Sequence, residues 1–294
     1  MITILGISRG IKGQLTLMAN LSLSSGDPDE IESFIVDYNP ATKKFKKIKS
    51  FPGWLTGMVT APTSELVMVS ADGELVCFRS GKIQVKSLKR NAFMNGLALL
   101  PGGGYLALGD DGSAYLGKSI SAKSKKYSFG SSLYGAHSFS GNKIVIVGDN
   151  GTAVYGSEKS WFRIDLNTDS CLFSAIMIDE HKFYIGGVET LFLVNIQDLS
   201  KQPRIRKVKL PDKLTCYAIE YFKGKLFVGA GENGLWAWDN IKWNQVSKAH
   251  VHALYKVDDW LAAMANNTFL YLNKGKWIKS QLDLKVLRRG KTQQ

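Results

Sequence analysis

An all-β fold is what the 294-residue sequence predicts, and three observations predict it. Long amphipathic helix patterns are missing; short apolar or alternating runs recur instead, separated by Gly, Asn, Asp and Ser. Four turns stand in the same setting, SADGELVCF, GDDGSAYLG, GDNGTAVYG and GENGLWAWD, with Gly73, Gly112, Gly151 and Gly234 in equivalent places. A small residue also returns inside a short strand at intervals of about 40 residues, at Gly6, Gly57, Gly96, Gly135, Ala175, Ala218 and Ala253. The two registers agree on seven units. Four strands repeated at this period make the class a seven-bladed β-propeller of four-stranded antiparallel blades.

Each unit justifies its four strands in the same order. The strand holding the small residue comes first and lies innermost, where Gly or Ala lets converging backbones approach around a narrow channel. A second apolar strand such as KIVIV follows, then a tight turn, a third strand such as TAVYG, and a charged turn into an outer strand. The outer strand opens near an aromatic residue at Tyr127, Trp161, Trp243 and Trp277. The blades are expected at about 1–50, 51–90, 91–130, 131–167, 168–210, 211–248 and 249–282, forming one domain, 1–282, with a basic C-terminal tail at 283–294. The polar stretch LSLSSGDPDEIES at 21–33 reads as an exposed loop inserted in blade one. LDLKVL at 282–287 reads as an extra strand near the ring closure.

Composition bounds the function classes. No apolar run approaches the roughly 18 to 20 residues that span a bilayer, and the first residues lack a signal peptide's basic start and apolar centre. A cytoplasmic monomer with no membrane partner is expected. Cys77, Cys171 and Cys216 show no metal or redox spacing and read as small buried apolar residues. The net charge of +13 raises nucleic acid or an anionic surface as partners. Most of the 38 Lys and Arg, however, fall in or just before the outer strand of a blade, where cations block edge-to-edge pairing. Nucleic acid therefore stands second to a protein partner.

A WD dipeptide occurs at Trp238 and Asp239, without the Gly-His that opens a WD repeat, and GSEKSW at 156–161 keeps the Ser and Trp of an Asp-box turn. On these residues and the repeat, the chain resembles the broad WD-repeat and sialidase-type (Asp-box, photosystem-assembly-factor-like) propeller superfamily. The resemblance covers the whole chain and implies architecture. Neither family's full motif is present, so their activities are not carried over.

The candidate sites follow from position. The Asp/Asn-Gly turns at Asp72-Gly73, Asp111-Gly112, Asn150-Gly151 and Asn233-Gly234 lack the oxygen ligands of a calcium loop and are followed by no helix that would cradle phosphate; they read as two-residue hairpins with both central residues at positive φ. His250 and His252 share one side of a strand, a zinc-like spacing, but no third ligand is near in sequence, so neither a metal nor a cofactor is expected. No catalytic residue is assigned. The inner strands are expected to lack the converging acid, base and cation that hydrolase or lyase chemistry in the central pocket needs; for that reading His252 and Tyr134 would be the residues to replace. What remains is the face where the inner strands begin. Trp54, Phe93, Tyr134, Phe173, Tyr217 and His252 precede the small residues, and Asp72, Asp110, Asp111, Asp149, Glu189, Glu232 and Asn267 should rim the same mouth. An aromatic centre with a polar rim is the composition of a protein-binding surface, so the expected function is a scaffold or a dedicated inhibitor of a toxin or enzyme, of the immunity type.

Overall fold

A computed structural model describes the chain except residues 10–13, 23–29, 62–64, 80, 89–92, 120, 140–142, 198–201, 212 and 289–294. Seven four-stranded antiparallel sheets form the ring, at 2–52, 55–87, 94–128, 133–163, 172–207, 218–247 and 253–281. The innermost strands are Ile2–Arg9, Leu55–Thr60, Met94–Leu99, Leu133–Phe139, Leu172–Met177, Ala218–Phe222 and Ala253–Val257. In every blade the four strands are consecutive in the chain, so no strand is exchanged between the first blade and the last.

A four-stranded sheet has two faces to bury, and each blade buries them against its two neighbours. The second strands are buried along nearly their whole length, as in Leu66–Ser70, Tyr105–Gly109 and Lys143–Gly148, because both of their faces meet another blade. Seven buried clusters result, one at each junction between neighbouring blades. The junction of blades seven and one has no covalent help. Tyr38 is fully buried there, edge-on to Phe269 at 4.8 Å, and its hydroxyl bonds Ser280 Oγ at 2.5 Å. Ile4 N–H donates to Asn266 O at 2.8 Å, and Tyr255 Oη donates to Leu5 O at 2.5 Å.

The stretch expected to add a strand forms instead a short helix, Leu284–Arg288. Its Leu287 is fully buried in the closing cluster, and Lys47 Nζ donates to Leu287 O at 2.7 Å. Apolar side chains at Leu284 and Leu287 lie three apart, which suits one face of a helical turn. The insertion in blade one is also shorter than 21–33, since the second strand runs to Ser22 and the third begins at Ile31; what lies at 23–29 falls outside the described residues.

The turns hold a further correction. Only Asn150 and Gly151 both have positive φ, at 52° and 62°, closing a tight hairpin with Thr152 N–H on Asp149 O at 3.0 Å. At Gly73, Gly112 and Gly234 the glycine has positive φ, but the Asp or Asn before it does not. The four loops are equally long, closed by the pairs Val147↔Ala153, Val69↔Leu75, Leu108↔Ala114 and Gly229↔Leu235, and in these three Gly73, Gly112 and Gly234 take the left-handed position without the residue before them.

The inner small residues act between neighbouring inner strands rather than across the channel. A Cβ on Gly135 would stand 2.5 Å from Phe173 O of the next blade, and one on Gly57 2.7 Å from Leu97 N. In blade five the equivalent place, set by the pairing Gly135↔Val147 and Ser174↔Gly186, belongs to Ser174 rather than Ala175. Gly135→Ala is expected to lower stability in urea by about 1–3 kcal/mol. Gly96→Ala, whose Cβ would meet Tyr134 O at an ordinary 3.5 Å, should change it by under about 0.5 kcal/mol. At the closure, Leu287→Ala should cost about 2–4 kcal/mol in the same titration.

Candidate functional site

Five blades carry the same irregularity at the start of the inner strand. The register skips one residue between Ile4 and Gly6, Leu55 and Gly57, Met94 and Gly96, Leu133 and Gly135, and Leu172 and Ser174. Leu5, Thr56, Asn95, Tyr134 and Phe173 are therefore bulge residues. A bulge re-aims its side chain out of the regular alternation, and here it does so at one mouth of the ring. The same mouth carries the turns between second and third strands: Asp149 N–H donates to Ser132 O, Asp110 N–H to Phe93 O and Ala71 N–H to Trp54 O, each at 2.8–2.9 Å.

The aromatic residues divide into two groups. Trp54 and Phe93 lie in the connections between blades, three residues before the glycine, and meet edge-on at 5.3 Å. Tyr134 and Phe173 are bulge residues at 5.6 Å, and Phe173 stacks on Tyr217 at 5.3 Å with the planes 24° apart. Tyr217 is 45% exposed, and Val188, in the turn between the second and third strands of blade five, is 40% exposed. Asp72, Asp110, Asp111, Glu189 and Glu232 are exposed in the surrounding turns, with Asn267 half-buried.

Two candidates have structural partners. Asp149 Oδ2 accepts the Tyr134 hydroxyl at 2.9 Å, while its Oδ1 accepts the Cys171 thiol. Asp149 thus fixes the orientation of Tyr134 and ties blade four to the connection entering blade five. Burial, and then the Asp149 carboxylate, push the Cys171 thiol up to about 11 and the Tyr134 hydroxyl above its usual range. Cys171 is therefore a half-buried hydrogen-bond donor, while Cys77 and Cys216 are buried as expected. His252 lies at the closure, its Nε2 2.9 Å from Ile4 O, and burial lowers its pKa. The His250 and His252 rings are 6.3 Å apart, and among the described residues no group of three His, Cys, Asp or Glu is placed to hold a metal ion.

The opposite mouth overturns the expectation that no acid, base and cation converge on the channel. A cavity of about 540 Å³ opens there, walled by the ends of the inner strands of blades three to seven. His137, Ser138, Glu220 and Lys256 all line it. Burial raises the Glu220 carboxyl to about 7, against the opposing pull of the Tyr221 and Lys256 backbone N–H groups and the Lys256 ammonium. Burial, with Lys256, holds His137 down to about 4, and its Nδ1 accepts Met177 N–H at 3.3 Å. These residues follow the small residue by two or three positions.

No family model matches the chain, and no curated protein matches it in sequence. Among solved structures, the WD40 β-propeller domain of Doa1 superposes with a TM-score of 0.70 over 97% of this chain and 98% of that one, at 11% identity. The architecture is a seven-bladed β-propeller of WD40 shape. Since 766 chains of solved structures match, the shape narrows the function little. No helix among the described residues is long and apolar enough to cross a membrane.

The Glu220 shift has a consequence for stability. Below about pH 4.5 the carboxyl is protonated in folded and unfolded chains alike and costs nothing; above about 7 the fold must hold it ionised in the channel. Stability from this group is thus lost as pH rises through 4.5 to 7. Glu220→Gln should stabilise the protein by about 1–3 kcal/mol at pH 8 and by little at pH 4.5, read by urea denaturation of both proteins at each pH.

Proposed function

We propose that this propeller is a non-catalytic protein-binding module that holds its partner on the mouth carrying Tyr134, Phe173 and Tyr217. The observation behind the reading is that stacked row, exposed at Tyr217 and Val188 and bordered by exposed acids in the turns. Fixed aromatic rings in a polar rim bind proteins well because they present large apolar area with little rotamer entropy to lose. Asp149 adds to this by holding Tyr134 in place before any partner arrives. Exposed Asp72, Asp110, Asp111, Glu189 and Glu232 favour a partner with a basic patch. In its most specific form the reading is an inhibitor that neutralises a toxin or enzyme by covering it.

A second reading rests on the outer strands. Lys44, Lys46 and Lys49 of blade one, Lys125 and Lys126 of blade three and Arg204, Arg206 and Lys207 of blade five are all exposed. They would suit nucleic acid or another anionic surface, but they are spread around the rim rather than gathered in a groove.

Capture of partners with the wild-type protein and two variants separates these readings. A protein held by the aromatic mouth should lose about 30-fold or more in affinity with Phe173→Ala and Tyr217→Ala combined, and should bind the Lys46→Glu, Arg206→Glu variant within a few-fold of wild type. The opposite pattern, with binding that collapses between low and moderate salt, would support the anionic-surface reading instead. If the captured protein is an enzyme or toxin, adding the propeller should suppress its activity in a one-to-one ratio.

A further inference from the structure

The mouth opposite the aromatic row is built differently and stands apart from the reading above. Its cavity of about 540 Å³ is within the range of small-molecule sites, and its walls combine apolar side chains such as Leu99, Phe139 and Leu254 with a smaller set of polar groups. Those groups converge from different blades: His137 and Ser138 from blade four, Glu220 from blade six and Lys256 from blade seven. Among the described residues no carboxylate comes within 4.0 Å of the Lys256 ammonium. Lys256 is exposed to the cavity as an unpaired cation, in a concave site with low-dielectric walls that strengthen its field.

We propose that this mouth is a binding site for a small organic carboxylate with an apolar body, whose carboxylate is held between the Lys256 ammonium and the Glu220 carboxyl. Lys256 supplies the charge. Glu220 in its acid form donates a hydrogen bond to the second carboxylate oxygen, and ionised it would repel the ligand. His137 uses Nδ1 to accept Met177 N–H, so its proton sits on Nε2 and the ring is a neutral donor. The apolar wall takes the rest of the ligand.

Binding is therefore linked to a proton. The titratable groups that share the cavity wall with Glu220 are Lys256 and Tyr255 from blade seven and His137 from blade four, and of these Lys256 acts on it directly. Burial keeps Tyr255 up at about 12 and His137 down at about 4, so neither changes charge between pH 6 and 8. Glu220, at about 7, changes in the middle of that window. A carboxylate that binds only the acid form should weaken about tenfold from pH 6 to pH 8.

Benzoate is the probe, titrated into the full-length protein by calorimetry at pH 6 and pH 8, with uncharged benzamide as the control. One benzoate per chain is expected, with affinity about tenfold higher at pH 6. Lys256→Met should lower it at least tenfold at pH 6, and Glu220→Gln should bind at pH 8 as wild type does at pH 6, with no pH dependence left. Phe173→Ala with Tyr217→Ala, at the other mouth, should bind benzoate unchanged, so that failure here and failure of the protein-binding reading remain distinguishable. Equal binding of benzamide, full binding by a Lys256→Met protein that melts as wild type, or no binding of benzoate to the wild type at pH 6 would each overturn the proposal.

Discussion

A blade cannot stand alone, and everything else in this molecule follows from that. Each sheet has two apolar faces, so each must be covered twice, and only a closed ring covers the last blade as well as the first. Here closure is by non-covalent contacts between whole blades, since the strands of blade one all come from the start of the chain and those of blade seven from its end. Tyr38, Phe269, Tyr271 and Leu287 take the part that a shared strand would otherwise play, and hydrogen bonds from Tyr255 and to Ser280 fix how the two blades meet. The short terminal helix belongs to this arrangement as a cover over the junction.

Closing seven sheets around one axis sets a second requirement, because the inner strands crowd together with one edge unpaired in each. Side chains from the neighbouring blade bond that edge: Asn20 Nδ2 donates to Leu55 O, Asn95 Nδ2 to Leu133 O, and Ile219 N–H donates to Ser174 Oγ. At the junctions in between, glycine at Gly57 and Gly135 admits the close approach of the next inner strand. The same crowding makes the channel narrow, and its two ends are where side chains become free to meet something outside the fold.

The number of blades and the strand order were legible because they are written in repeated residues, the turn glycines and the inner small residues, whose backbone demands permit few alternatives. The finer placements were not. A bulge costs one residue of register and leaves no compositional trace, so Tyr134 and Phe173 could be grouped with Trp54 and Phe93 although their backbones differ. In blade five Ser174 and Ala175 are both small, and only the pairing with Gly186 decides between them. The partner of Asp149 is Cys171, twenty-two residues away on the connection into the next blade, which no local pattern reveals. Glu220 and Lys256 did leave a signal: each is a charged residue within a short inner strand, two or three places beyond the small one, where an apolar or neutral side chain is the rule.

The bulges described at the aromatic mouth separate what the ring needs from what it displays. In each of five blades one side chain is released from the sheet's alternation, while its neighbours on either side continue to pair and pack. Leu5, Thr56 and Asn95 occupy the same kind of place as Tyr134 and Phe173. Leu5 and Asn95 use this place to pack on or bond the next blade, whereas Tyr134 and Phe173 use it for display, so a recognition surface can be written at such positions without composing a new core.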